Sequence, residues 1–189
     1  VLLVERGAAV GETFRRWPAE MRFISPSFNQ QGWTNSFDLN SISHGTSLAY
    51  SMHAEHPSGE QYATYLDALA KGAKLNVRTS TEVTSVEPEE AAKGGASSAA
   101  GGPAPTTRFS VGVRSKPCGD EQPATRRAHK APEKLTARYV IWAAGEFQYP
   151  KECTCPGAVP GSELCVHNSR VRSWASLPGD DFVLIGGYE

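Results

Sequence analysis

The sequence predicts an α/β fold with buried strands of a parallel sheet, one well-capped helix and an antiparallel meander. Three observations lead to it. Residues 1–4, the second half of 135–145, and 181–186 contain continuous apolar runs, the pattern of strands covered on both faces. Residues 58–72 place Tyr62, Tyr65, Leu66 and Leu69 at helical spacing behind a serine. Residues 108–114 alternate, with Phe109, Val111 and Val113 on one face, as a half-covered antiparallel strand does.

The first strand, 1–4, ends on Glu5 and is followed by Arg6-Gly7. Residues 11–18 have no clean period, and 21–58, rich in Ser, Asn, Gly and aromatics, read as long irregular structure. The interleaved Phe23, Ile24, Phe28, Trp33, Phe37 and Leu39 predict that this stretch is packed rather than loose. Ser58 is the expected N-cap of the helix, with Pro57 before it and Gly72 just after its last turn. Short strands follow at 76–79 and 82–87. Residues 91–107 and 115–134 are low-complexity or charge- and Pro-rich and cannot bury enough apolar surface to offset the entropy of ordering them, so both are expected to be disordered insertions at hairpin tips. Residues 135–145 then run from an alternating edge into an apolar strand ending in Ala143-Ala144-Gly145, and 181–186 form a last strand before Gly187.

With 19 Lys and Arg against 20 Asp and Glu, the 189-residue chain has a net charge of -1, which argues against a nucleic-acid backbone or an anionic membrane surface as partner. No apolar run approaches the ~18 residues of a membrane span. Cys118, Cys153, Cys155 and Cys165 lack the spacing of paired zinc knuckles, and Cys153-Thr-Cys155 is one residue short of a redox CxxC, so no metal is expected. His44, His53 and His56 read as solvated loop histidines. The start carries no secretory signal, which makes a reducing, cytoplasmic compartment with free thiols the default. The chain opens inside one apolar run and closes just after another, and on that ground it reads as a piece of a longer protein.

Glu5 has the most chemical content. In a dinucleotide-binding βαβ unit, an acid about 20 residues after the glycine fingerprint accepts both ribose hydroxyls of the adenosine half. Helix caps and surface ion pairs also put Glu after a strand, so context has to choose. Ala143-Ala144-Gly145 and Gly186-Gly187 each end an apolar run with residues small enough for a backbone or ring to approach closely. The order of strand-acid, helix, meander, strand-Ala-Ala-Gly and strand-Gly-Gly is that of a flavoprotein with two dinucleotide sites.

The runs Val-Leu-Leu-Val-Glu-Arg-Gly (1–7), Gly-Glu-Thr-Phe-Arg-Arg-Trp-Pro (11–18), His-Pro-Ser-Gly-Glu-Gln-Tyr (56–62), Val-Ile-Trp-Ala-Ala-Gly-Glu-Phe-Gln-Tyr-Pro (140–150) and Phe-Val-Leu-Ile-Gly-Gly-Tyr-Glu (182–189) resemble the FAD/NAD(P)-dependent oxidoreductases of the flavin-containing monooxygenase and thioredoxin reductase-like superfamily. That resemblance implies a three-layer, Rossmann-like FAD-binding domain over residues 1–180, with its first strand and glycine loop outside these residues, and the start of an NAD(P)-binding domain at 181–189. It implies that Glu5 holds the adenosine ribose of FAD, Arg6 flanks the adenine and Val83 meets the adenine through its backbone. Residues 11–17, with Gly11, Thr13 and Trp17, would line the flavin side. Ala143, Ala144 and Gly145 stand where the family has its Ala-Thr-Gly motif, and Gly186 and Gly187 where its NAD(P)H fingerprint begins.

Tyr188 departs from that pattern, standing at the second glycine of the fingerprint, where a side chain crowds the pyrophosphate. The leading expectation is an enzyme that moves electrons from NAD(P)H through FAD to oxygen and a small organic substrate, or to a disulfide. The flavin supplies the electron chemistry, so no catalytic residue is named. The alternative is a truncated or degenerate paralogue that binds no flavin and acts at most as an interaction module.

Overall fold

The computed structural model describes residues 1–27, 38–89, 108–115, 132–145 and 159–186. It divides into two compact units, Val1–Glu12 with Leu66–Ala144, and Thr13–Tyr65 with Gly145–Glu189.

In the first unit, β1 (Leu3–Val4) pairs in parallel with β2 (Val77–Arg78), Leu3 opposite Val77 and Val4 opposite Arg78. The ladder continues one residue past β1, where the Glu5 amide donates to the Arg78 carbonyl at 2.9 Å. An antiparallel meander follows in the order β3 (Thr81–Glu89), β4 (Arg108–Ser115) and β5 (Glu133–Ala137). The alternation of β4 is realised: Val111 and Val113 are buried and Phe109 is partly covered. In β3 the register slips between Val83 and Ser85, leaving Thr84 as the extra residue of a bulge. Gly112 lies opposite that bulge because a Cβ there would come within 2.7 Å of Ser85 Oγ and 2.9 Å of Thr84 Oγ1. A double hydrogen bond from Arg78 to Glu133, at 3.0 and 2.5 Å, ties β2 to β5.

The helix expected behind Ser58 is α3 (Gly59–Gly72), reached after α1 (Glu12–Arg15) and α2 (Leu48–Met52). Ser58 and Gln61 close a reciprocal capping box: the Ser58 amide donates to Gln61 Oε1 at 2.9 Å and the Gln61 amide to Ser58 Oγ at 3.2 Å. The helix ends differently from the expectation, because Gly72 is its last helical residue and the left-handed stop is Lys74, with φ of 51°. The amides of Lys74 and Leu75 donate back to the carbonyls of Lys71 and Ala70, a Schellman closure with lysine where glycine is usual.

The second unit is built on aromatic rings and on a buried carboxylate. Phe14, Trp17, Phe23 and Tyr62 form one cluster, with centroids 4.5 Å apart for Phe23 and Tyr62 and an edge-to-face contact of 4.6 Å between Phe14 and Tyr62. Of the residues of 21–58 expected to pack, Phe23 joins this cluster, but Ile24 and Leu39 do not pack and are 76% and 64% exposed. Asp38 accepts from the amides of Asn40, Leu48 and Ala49 and from the Ser47 hydroxyl, and it thereby caps α2, whose Leu48 is fully buried. Burial alone pushes the Asp38 carboxyl up, but the Ser47, Asn40 and Ser27 hydrogen bonds outweigh it and hold it below the usual carboxylate range. α2 lies within the stretch read as irregular; its five residues are too few to display a period. Residues 159–186 contain three short 3-10 turns, Ser162–Leu164, Asn168–Arg170 and Trp174–Ser176. They are fastened to the 18–22 loop by Ala19, whose amide donates to Arg172 O at 2.8 Å, and by Glu20, which accepts from the Ser173 hydroxyl and the Trp174 amide.

Several strand expectations are corrected. Residues 139–145 and 181–186 are not strands but irregular, exposed chain: Ile141 and Val183 are each 89% exposed. β1 is not covered on both faces either, since Leu2 and Leu3 remain exposed. A parallel strand exists only where a neighbour pairs its backbone and helices cover its faces. Among the described residues, β2 is the single partner of β1, and neither 139–145 nor 181–186 has one. The second insertion is also shorter than expected, because Ser115 closes β4 and Glu133-Lys134 open β5. Apart from the exposed Pro132, the remainder of both insertions, with Phe28, Trp33 and Phe37, lies outside the described residues.

Candidate functional site

Four of the residues named from sequence lie in the first unit near the carboxyl end of β1 or on the strand that follows β2. Glu5 is half-buried just past the strand end. Both of its backbone groups are engaged, the amide by Arg78 O and the carbonyl by the Thr81 amide at 3.0 Å. Its side chain turns back onto the chain, where Oε1 accepts the Gly7 amide at 2.5 Å. Gly7 in turn accepts from the Ser80 amide at 2.7 Å. Ser80 reaches it from a left-handed backbone, φ 48°, in the tight turn between β2 and β3. The structure therefore brings Glu5 and Gly7 against residues 78–81, and Val83 follows two residues farther along β3. Arg6 is half-buried beside Glu5, and Gly11 takes φ of 79° in the turn before α1, a conformation that favours glycine.

A carboxylate fixed this way fits the ribose hydroxyls of a dinucleotide. Oε2 makes no hydrogen bond among the described residues, and an ionised carboxylate is acceptor-only, which suits a pair of hydroxyl donors. The space a side chain at Gly7 would take is filled by Glu12, whose Cγ lies 2.5 Å from the position of such a Cβ.

Thr13 and Trp17 belong to the second unit. Trp17 is half-buried, its ring 5.1 Å from Phe14 and 5.0 Å from Phe23. Between them in sequence, Arg15 pairs with Glu60 through Nη1 while its buried Nε has no partner among the described residues. Gly59 is the residue that lets α3 start against this segment, because a Cβ there would fall 2.1 Å from Phe14 O and 3.1 Å from Trp17 Cβ. Sequence reading missed Gly59 as a contact point, although a glycine directly after an N-cap serine is the visible signal.

Ala143, Ala144 and Gly145 lie on exposed chain after β5. Gly145 and Gly186 have φ of 75° and 97°. Gly187 and Tyr188 lie outside the described residues, as do Cys118, Cys153 and Cys155, while Cys165 is an exposed free thiol. The three loop histidines are exposed as expected; His56 Nδ1 is 2.9 Å from Phe23 O. A shallow groove of about 490 Å³ in the first unit is lined by Ala8, Val10, Ala70, Lys71, Lys74 and Leu75, among others, and none of the predicted site residues lines it. Among the described residues there is no cluster that could hold a metal, and no helix is long and apolar enough to cross a membrane.

Parallel and antiparallel sheets, linked where the Glu5 backbone amide meets Arg78 O and its carbonyl accepts from Thr81, define a mixed α/β protein. The family model for pyridine nucleotide-disulphide oxidoreductase matches residues 1–94 and 127–189, and the chain belongs to that family. The match passes over 95–126, which contains the greater part of both expected insertions and β4.

Proposed function

We propose that the protein is an FAD-dependent oxidoreductase that takes electrons from NAD(P)H, and that these residues contribute the adenosine end of a Rossmann-like FAD site. The observation that carries this reading is Glu5, a carboxylate at the end of a parallel strand with one oxygen pinned by Gly7 and the other available. In this reading Glu5 receives the ribose hydroxyls, Arg6 flanks the adenine, Val83 presents backbone to it, and Gly11, Thr13 and Trp17 serve the flavin end. Ala143, Ala144 and Gly145, and Gly186 and Gly187, serve the dinucleotides once their strands are paired. Bound flavin supplies the electron transfer; the chain binds, orients and shields it. The acceptor is oxygen with a small organic substrate, or a disulfide. Tyr188 at the second glycine of the fingerprint makes nicotinamide binding weak or dependent on a displaced loop.

The test is Glu5→Ala in the full-length protein, with FAD affinity read from quenching of flavin fluorescence. Each charged hydrogen bond lost costs about 1.5 to 3 kcal/mol, so affinity should fall at least tenfold. Unchanged affinity would remove Glu5 from the site. Membership of an oxidoreductase family does not favour the reading as a flavin-free interaction module, and a full-length protein that takes up no FAD is the result that would revive it.

A further inference from the structure

Gly7 holds more of the strand-end site together than its size implies. Its amide is 2.5 Å from Glu5 Oε1, its carbonyl accepts from Ser80, and its α-carbon faces Glu12 so closely that an added Cβ would lie 2.5 Å from Cγ and 2.6 Å from Cβ of that side chain. The last contact involves the stem of Glu12 rather than its mobile end, so a side chain at position 7 forces backbone or stem to move. A glutamate otherwise has three rotatable bonds with which to wander. Here the backbone on both sides of Glu5 is tied to residues 78–81, and the Gly7 amide fixes the remaining freedom of the carboxylate.

We propose that Gly7 is a positioning residue for the ribose-binding carboxylate: its amide sets the rotamer of Glu5 and leaves Oε2 directed to the nucleotide. Its lack of a side chain is what allows Glu12 to pack against it while that hydrogen bond is made. The proposal rests on the reading of Glu5 given above.

The experiment uses the full-length protein and FAD, with two readouts, the FAD dissociation constant and the Gly7 amide proton resonance of the nucleotide-free protein. A short hydrogen bond to a carboxylate shifts that resonance downfield. Glu5→Ala should move it upfield, whereas Glu5→Gln, which keeps a carbonyl acceptor, should restore most of the shift. Gly7→Ala should weaken FAD binding about tenfold, the loss of one charge-assisted contact, with the far-ultraviolet circular dichroism unchanged. Adding Glu12→Gly, which removes the stem that the new methyl meets, should return affinity to that of Glu12→Gly alone. A Gly7 resonance indifferent to Glu5→Ala overturns the proposal, as does a Gly7→Ala protein that binds FAD normally. If Glu5→Ala weakens FAD binding and Gly7→Ala does not, only the positioning role falls. If Glu5→Ala itself leaves binding intact, the ribose assignment falls first.

Discussion

Gly59→Ala sets two rules of protein chemistry against each other. At the first position of a helix, replacing glycine by alanine ordinarily stabilises, by up to about 1 kcal/mol, through helix propensity and a less flexible unfolded chain. The structure predicts the reverse sign. The new Cβ would sit 2.1 Å from the Phe14 carbonyl oxygen, where carbon and carbonyl oxygen normally meet at about 3.3 Å, so the start of α3 has to retreat by about 1 Å. That retreat opens the cluster of Phe14, Trp17, Phe23 and Tyr62. Overpacking of this kind costs about 1 to 3 kcal/mol, enough to exceed the propensity gain. Gly72→Ala at the other end of the same helix is the internal control, since its backbone is not left-handed and nothing lies within 4 Å of a Cβ there. Urea denaturation followed by aromatic fluorescence should show Gly59→Ala destabilised and Gly72→Ala stabilised by about 0.5 to 1 kcal/mol. If both substitutions stabilise alike, α3 does not start against Phe14 and the argument fails.

Lys74→Gly should stabilise the protein by about 0.5 to 1 kcal/mol in the same titration, because a left-handed non-glycine residue costs roughly 1 to 2 kcal/mol and the extra freedom of an unfolded glycine returns part of it. The Ser173 hydroxyl and then the Trp174 amide hold Glu20 at a pKa of about 2, down from 4.5. A carboxylate depressed in the folded state gives its full stabilisation above its unfolded value and loses it as pH falls through the folded one. The protection factor of the Trp174 amide, its exchange rate relative to the intrinsic rate at each pH, should therefore fall between pH 4.5 and about 2. Glu20→Gln should remove most of that pH dependence relative to an amide in α3. Glu133→Gln, which weakens the double hydrogen bond to Arg78, should lower the melting temperature at low salt, and the difference should shrink near 1 M salt, about where screening acts within 3 Å.

What the sequence determined by itself is the set of local choices whose physics is complete within a few residues. Ser58 and Gln61 cap α3, Val111 and Val113 alternate into the core, and Glu5 follows directly on a strand. These depend on hydrogen bonds and side-chain direction along one segment, and they can be read without knowing the neighbours. Tertiary structure decided everything that needs a second segment. The apolar runs at 139–142 and 182–185 have strand composition, yet composition supplies no partner for their backbone groups, and they stand exposed. Lys74 stops α3 because two carbonyls of the helix accept its amide and that of Leu75, a geometry that glycine usually marks in sequence and lysine conceals. Asp38, distant from Leu48 in sequence, caps α2 only after the chain folds back, and Gly7 matters because Ser80 and Glu12 arrive beside it. The strand-end acid is written in one dimension, and the fixing of its carboxylate exists only in three.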